Sequence, residues 1–158
     1  MSLYDTTKDD IKTMNYTIEH LNQEYQEFSF FTTEKTPGFN EMVTAAKSFG
    51  EIRKIGKAYN AYAKMKNLWS SRLVYSIEKN KIYPVDKVYL YMLWIEPNTR
   101  RDPDNIAAFS KFILDALQKA SIIKNDGWKN ITGFTHGFKR IKDRRGVIVR
   151  LYNEINKR

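Results

Sequence analysis

The chain has 158 residues, of which 42% are hydrophobic and 14% aromatic, and its net charge is +9. That length and composition fit one folded domain over residues 1–158 and exclude a disordered chain. With no cysteine and only His20 and His136, a disulfide framework, a thiolate metal centre, a cysteine nucleophile and a His-rich zinc site are all excluded.

Residues 1–13 are polar, charged and expected to be loose. Tyr16 and Ile18 stand at strand spacing within Asn15–Leu21, which predicts a strand there. The acidic-aromatic stretch from Glu24 to Phe31 yields no assignment. Glu34–Gly38 reads as a loop, and Asn40 as the cap of a helix beginning near Glu41. A helical pattern follows over 51–79. Its apolar stripe is Ile52, Ile55, Tyr59, Tyr62 and Trp69, and Arg53, Lys54, Lys57, Lys64 and Lys66 lie largely off it. That basic face is either a DNA-binding surface or a solvated one. After Pro84, Lys87–Ile95 is nearly continuous in apolar and aromatic residues and predicts a central strand. A helix is predicted from Asn105 to Ala120, with Ile106, Phe109, Ile113, Ala116, Leu117 and Ala120 on one side. Finally, Ile131–Lys139 and Val147–Tyr152 flank Lys142-Asp143-Arg144-Arg145-Gly146 and read as a hairpin. Strands with interleaved helices predict a mixed α/β or α+β fold, a small mixed sheet packed with helices.

The charge is uneven. Residues 1–50 hold four basic and eight acidic side chains, a balance of −4, and residues 51–158 hold 23 and 10, a balance of +13. A basic surface of this kind either serves solubility or attracts a polyanion. Nucleic acid is the expected partner rather than an anionic membrane, because the apolar positions are committed to a core and no basic amphipathic segment stands apart. No apolar run is long enough to span a bilayer and the N-terminus lacks a signal-peptide pattern, so the expected location is cytoplasmic, without membrane contact.

Inside the basic part lies Arg100-Arg101-Asp102-Pro103-Asp104-Asn105. In extended backbone, residues two apart face the same way, so Asp102 and Asp104 are expected to share a pocket with roots roughly 7 Å apart. Proline disfavours helical angles at the residue before it, which supports that geometry. Two carboxylates are a sufficient protein donor set for Mg²⁺, with water and phosphate completing the shell. At 100° per residue Asp104, Ala108, Lys111 and Asp115 fall on one helix face. Lys111, about 10 Å along the axis, can lean back toward a phosphate at Asp104, whereas Asp115, about 16 Å away, is expected to pair with Lys111 or serve structure. The loop at Asn125-Asp126-Gly127 is expected to fold back and add Asp126 as a third carboxylate. Each piece also reads as an ordinary turn or helix cap, and both readings stand at this point. His136 is expected to be a surface or hydrogen-bonded side chain. Lys139, Arg140, Lys142, Arg144 and Arg145 form a basic turn that is either solvated or in contact with phosphate.

Three segments together resemble the RusA family of Holliday junction resolvases. They are Arg101-Asp102-Pro103-Asp104-Asn105, Lys111-Phe112-Ile113-Leu114-Asp115-Ala116-Leu117 and Ile122-Ile123-Lys124-Asn125-Asp126. Pro37-Gly38-Phe39-Asn40-Glu41 is similar to the family's N-terminal segment, as is the strand ending Trp94-Ile95-Glu96-Pro97-Asn98, so the likeness spans roughly residues 37–150. Two departures stand out: the gap from Asn105 to Lys111 is longer than in the best-known members, and the frequent Asp-Asp pair is Asn125-Asp126 here. The resemblance implies a homodimeric, Mg²⁺-dependent endonuclease (Mn²⁺ being a possible substitute) that cuts four-way DNA junctions. It implies metal and catalytic roles for Asp102, Asp104 and Asp126 and an essential Lys111. Arg100, Arg101, Asn105, Lys124, Lys129, Arg144 and Arg145 are the expected DNA contacts, and Asn40 and Asp115 the expected supports of the site.

Overall fold

The computed structural model describes residues 24–53 and 61–153, and their side chains except those of 48–53. The elements in chain order are β1 (Tyr25–Phe31), α1 (Phe39–Arg53), α2 (Ala61–Lys79), β2 (Val88–Glu96), α3 (Pro103–Ala107), α4 (Ser110–Lys119), β3 (Ile131–Arg140) and β4 (Gly146–Asn153). The four strands form one mixed sheet in the order β1-β4-β2-β3. This is the mixed α+β architecture expected. The strand predicted over Asn15–Leu21 lies outside the described residues.

β2 is central, as its composition predicts. It pairs in parallel with β3 and antiparallel with β4. Its residues alternate between two buried faces, which explains why the run is almost unbroken in apolar side chains. Val88, Leu90, Met92 and Trp94 join the helix-side core, and Tyr91, Leu93 and Ile95 join a smaller cluster on the other face with Ile148 and Tyr152. Arg150 is also buried on that face. It pairs with Glu27 at 3.1 Å and lies 4.3 Å over the Tyr25 ring. The Glu24–Phe31 stretch, unassigned from sequence, is edge strand β1: Phe28 and Phe30 point into the helix-side core, and Glu27 into the opposite face.

Two expectations are corrected. β3 and β4 are not a hairpin, because β2 lies between them. The short link over 141–145 crosses the end of β2, where Ile141 N–H donates to the Glu96 carbonyl at 3.0 Å. Local turn residues cannot reveal that an earlier strand takes the middle position. At Gly146, just beyond this link, a Cβ would run into the Phe30 carbonyl, so β4 starts with the one residue that lets β1 approach. The helical segments also differ from the expectation. Residues 51–53 belong to α1, Ala61–Lys79 is α2, and 54–60, with Lys54, Ile55, Lys57 and Tyr59, lie outside the described residues. Within α2, Trp69, Leu73 and Ile77 fill the core and Tyr62 packs on Phe112 at 6.2 Å. The helix predicted from Asn105 to Ala120 is two helices with a break at Ala108–Phe109. There the bonding tightens to three-residue spacing, with Phe109 N–H to Ile106 carbonyl at 3.2 Å and Phe112 N–H to Phe109 carbonyl at 3.0 Å.

The reason for the break is Phe109. Its ring is fully buried and meets Phe30, Trp69, Trp94 and Phe112 at centroid distances of 5.6–6.3 Å. α4 closes with Ser121 in the left-handed region (φ 59°), Ile122 N–H bonding the Leu117 carbonyl at 2.9 Å and Ser121 N–H bonding the Gln118 carbonyl at 3.0 Å. This Schellman closure turns Ile122 and Ile123 into the core and starts the loop that carries Asp126. Replacing Phe109 with Ala should cost about 3–5 kcal/mol in urea unfolding. A loss below about 1 kcal/mol would show that the cluster closes over the gap.

Candidate active site

Pro103 opens α3, so Asp102 is its N-cap, extended at φ −72° and ψ 144°. The Asp102 side chain makes no capping hydrogen bond, and its carboxylate is therefore not used by the helix end. Asp104 already lies in the first turn, where Oδ1 accepts the Asn105 N–H at 2.9 Å. The expected extended alternation of the two acids thus stops at Pro103, because proline at the first helical position starts the helix one residue before Asp104. Both carboxylates remain exposed and close in sequence at a helix N-terminus, which favours negative charge.

The Gly38 turn packs against this end. α1 begins at Phe39, not Glu41, and Gly38 is its cap: Met42 N–H donates to the Gly38 carbonyl at 3.1 Å, and Glu41 Oε2 accepts the Gly38 N–H at 3.0 Å. Asn40 sits inside the first turn, and its N–H is taken by Asn105 Oδ1 at 3.3 Å. A Cβ on Gly38 would collide with that same amide oxygen. Asn40 and Asn105 therefore meet, through the Asn40 backbone.

Arg101 is largely buried and Arg145 half-buried, and both hold Glu96, whose side chain is 91% shielded. Arg101 Nη1 donates to Glu96 Oε1 at 2.9 Å and to Thr36 Oγ1 at 3.2 Å, and Nη2 donates to the Thr36 carbonyl at 2.8 Å. Arg145 Nε donates to Glu96 Oε2 at 3.0 Å. A buried carboxylate needs such partners. Arg100, Lys124, Lys129 and Arg144 do reach solvent.

Asp102 opens into a cleft of about 260 Å³ together with Trp94, Asn98, Thr99, Phe138, Lys139 and Arg140. Lys111 Nζ lies 4.0 Å from Asp126 Oδ2. Asp115 does not pair with Lys111; it is buried and its Oδ2 lies 3.4 Å from Lys66 of α2. Among the described residues no three His, Cys, Asp or Glu side chains converge on one metal position. Asp102 and Asp104 stand at the start of α3, and Asp126 stands against Lys111. The donor chemistry still fits a hard divalent cation, because Mg²⁺ takes one or two carboxylates and completes its shell with water and phosphate oxygens.

Sequence reasoning missed Glu96 and the Trp94–His136 contact. A single glutamate ending an apolar strand, five residues before an arginine, was the available signal for the first. In the second, Trp94 Nε1–H donates to His136 Nδ1 at 3.0 Å. Burial holds the His136 pKa below its ordinary value of 6.5, and an acceptor Nδ1 requires the neutral ring. No family model matches the chain, and no curated protein matches it either. Among the described residues no helix is long and apolar enough to cross a membrane.

Two outcomes are expected. Glu96→Gln should cost about 3–5 kcal/mol, read as a lowered urea midpoint, since it leaves Arg101 buried beside a neutral group. An unchanged midpoint would remove Glu96 as the anchor. The second concerns pH. As pH falls below 6.5 the unfolded chain protonates at His136 before the folded chain does, so stability should decline from 6.5 down to the folded pKa. His136→Phe should flatten that part of the stability–pH curve; an unaltered slope would assign it to other groups.

Proposed function

We propose that this chain is a metal-dependent endonuclease of the RusA type, acting on branched DNA. The observation that carries the reading is the Asp102–Asp104 pair at the start of α3: Asp102 is free of capping duty and opens into a cleft beside Lys139 and Arg140. The order of motifs, from Gly38 and Asn40 through Asp102, Asp104 and Asn105 to Lys111 and Asp126, supports it further. So does the docking of Asn40 on Asn105 across 65 residues of sequence.

Asp102 and Asp104 would hold Mg²⁺ or Mn²⁺. Bound there, the ion supplies charge stabilisation at the scissile phosphate and an activated water. The protein's own groups supply the rest. Lys139 and Arg140 line the cleft that a phosphate backbone would enter, and exposed Arg100 extends this basic border. Lys111 donates to phosphoryl oxygens as negative charge grows on them. Asp126 orients the Lys111 ammonium across the 4.0 Å ion pair. Asn105 fixes the entry of α1 against α3, so the acid pair stays in place while DNA binds. The substrate of this reading is the four-way junction. A two-fold homodimer would present one site to each of two opposed strands.

A second reading is a nucleic-acid-binding module without catalysis. The division of the acids into two pairs favours it. The two readings part on one assay. Asp102→Asn should remove Mg²⁺-dependent nicking of a synthetic four-way junction, by about 10²-fold or more, while leaving junction binding in place. Lys111→Ala should slow nicking by about 10²–10³-fold. Equal nicking by wild type and Asp102→Asn would sink the metal site, and binding with no nicking at all by wild type would leave the second reading.

A further inference from the structure

We propose that the open face of edge strand β3 is a stacking track for unpaired nucleotides at the DNA branch point. The inference rests on the reading of the chain as a branched-DNA nuclease and specifies which part of the substrate it grips. The track consists of Phe134, His136 and Phe138, with Trp128 at its entrance.

The register fixes the direction of these side chains. Phe134, His136 and Phe138 pair with Leu90, Met92 and Trp94, which all belong to the helix-side core. The face that is sealed at β2 is open one strand further out. Phe134 is 42% exposed and Phe138 41%, and Trp128, three residues before β3, is fully exposed. Large exposed rings in a row are unusual on a soluble surface and mark a site of contact.

Their orientation is ordered. The Phe134 and His136 planes lie within 16° of each other at 6.3 Å, and those of His136 and Trp94 within 21° at 6.1 Å. The Trp94 hydrogen bond to His136 holds the middle ring, so the row is set before any ligand arrives. Preset rings lose little freedom on binding.

The ends of the row meet the two pairs of the candidate site. Trp128 stands two residues from Asp126, which lies against Lys111. At the other end, Phe138 lines the same cleft as Asp102. Exposed Lys129 and Arg140 flank the rings along this path. Apolar rings bordered by cations match a nucleotide, whose base offers a flat face and whose backbone offers phosphate. A protein partner would prefer an interface core depleted of charge. A fully paired duplex hides its base faces, so only unpaired nucleotides can use the rings.

The test measures binding of the full-length chain carrying Asp102→Asn, so that no substrate is cut. The probes are a synthetic four-way junction, an oligothymidylate and a fully paired duplex of equal length. The Phe134→Ala/Phe138→Ala double variant and Trp128→Ala should each weaken binding of the first two by about tenfold and leave duplex affinity unchanged. Trp128→Phe should restore most of the loss, and thermal melting should confirm an intact fold at these exposed positions. Equal weakening on all three probes, or unchanged affinity for oligothymidylate, would overturn the track. So would a fall in sedimentation mass with unaltered DNA affinity, which would assign the row to a second copy of the chain. The two layers fail separately. Selective loss of oligothymidylate binding without Mg²⁺-dependent cleavage by wild type removes the nuclease and keeps the track, and cleavage with unaltered binding does the reverse.

Discussion

Glu96 is the constraint from which the geometry of this molecule follows. A carboxylate sealed at the end of the central strand must be met by positive charge, because leaving it unpaired in a low-dielectric interior is prohibitive. Arg101 and Arg145 meet it from opposite directions. The first ties down the chain as it enters α3, the second the link before β4. Arg101 then reaches Thr36 and brings in the segment ahead of α1. Asp102, the next residue after Arg101, inherits its position from this anchor. Three distant segments are thus fixed around one side chain, and the exposed acid pair follows directly from it.

The same network explains what was legible in the sequence and what was not. β2 could be read directly, because a strand buried on both faces leaves an unbroken apolar run. α4 could be read from the spacing of Ile113, Ala116 and Leu117. β1 could not, since Glu27 is buried against Arg150, a pairing across 123 residues that no local pattern carries. Arg101 and Arg145 looked like phosphate ligands because charge type is visible in a sequence and burial is not. The helix break at Phe109 was hidden for a related reason: one large ring seeking the aromatic centre overrides a helical period that is otherwise intact.

The break lies on the segment that carries the candidate residues. Counting along a straight helix places Lys111 over Asp104. In the structure Lys111 lies against Asp126, and Asp115 pairs with Lys66 of α2. The pieces of the acidic motif were visible in the sequence, but these pairings, one with a loop and one with another helix, were not.

The position of β4 has a further consequence, for how the molecule assembles. β4 lies inside the sheet, yet it follows every other described strand in the chain. Among the described strands β1 pairs only with β4, and its first residue, Tyr25, must wait for Tyr152. During synthesis, β1 and β2 emerge with an unfilled slot between them, and β3 can join β2 before that slot is occupied. The last strand must then pair with β2 and bring β1 into the sheet. Its pairings are among the most distant in the chain, so closure is slow and comes late. Until it happens, two strand edges are open to pairing with other chains.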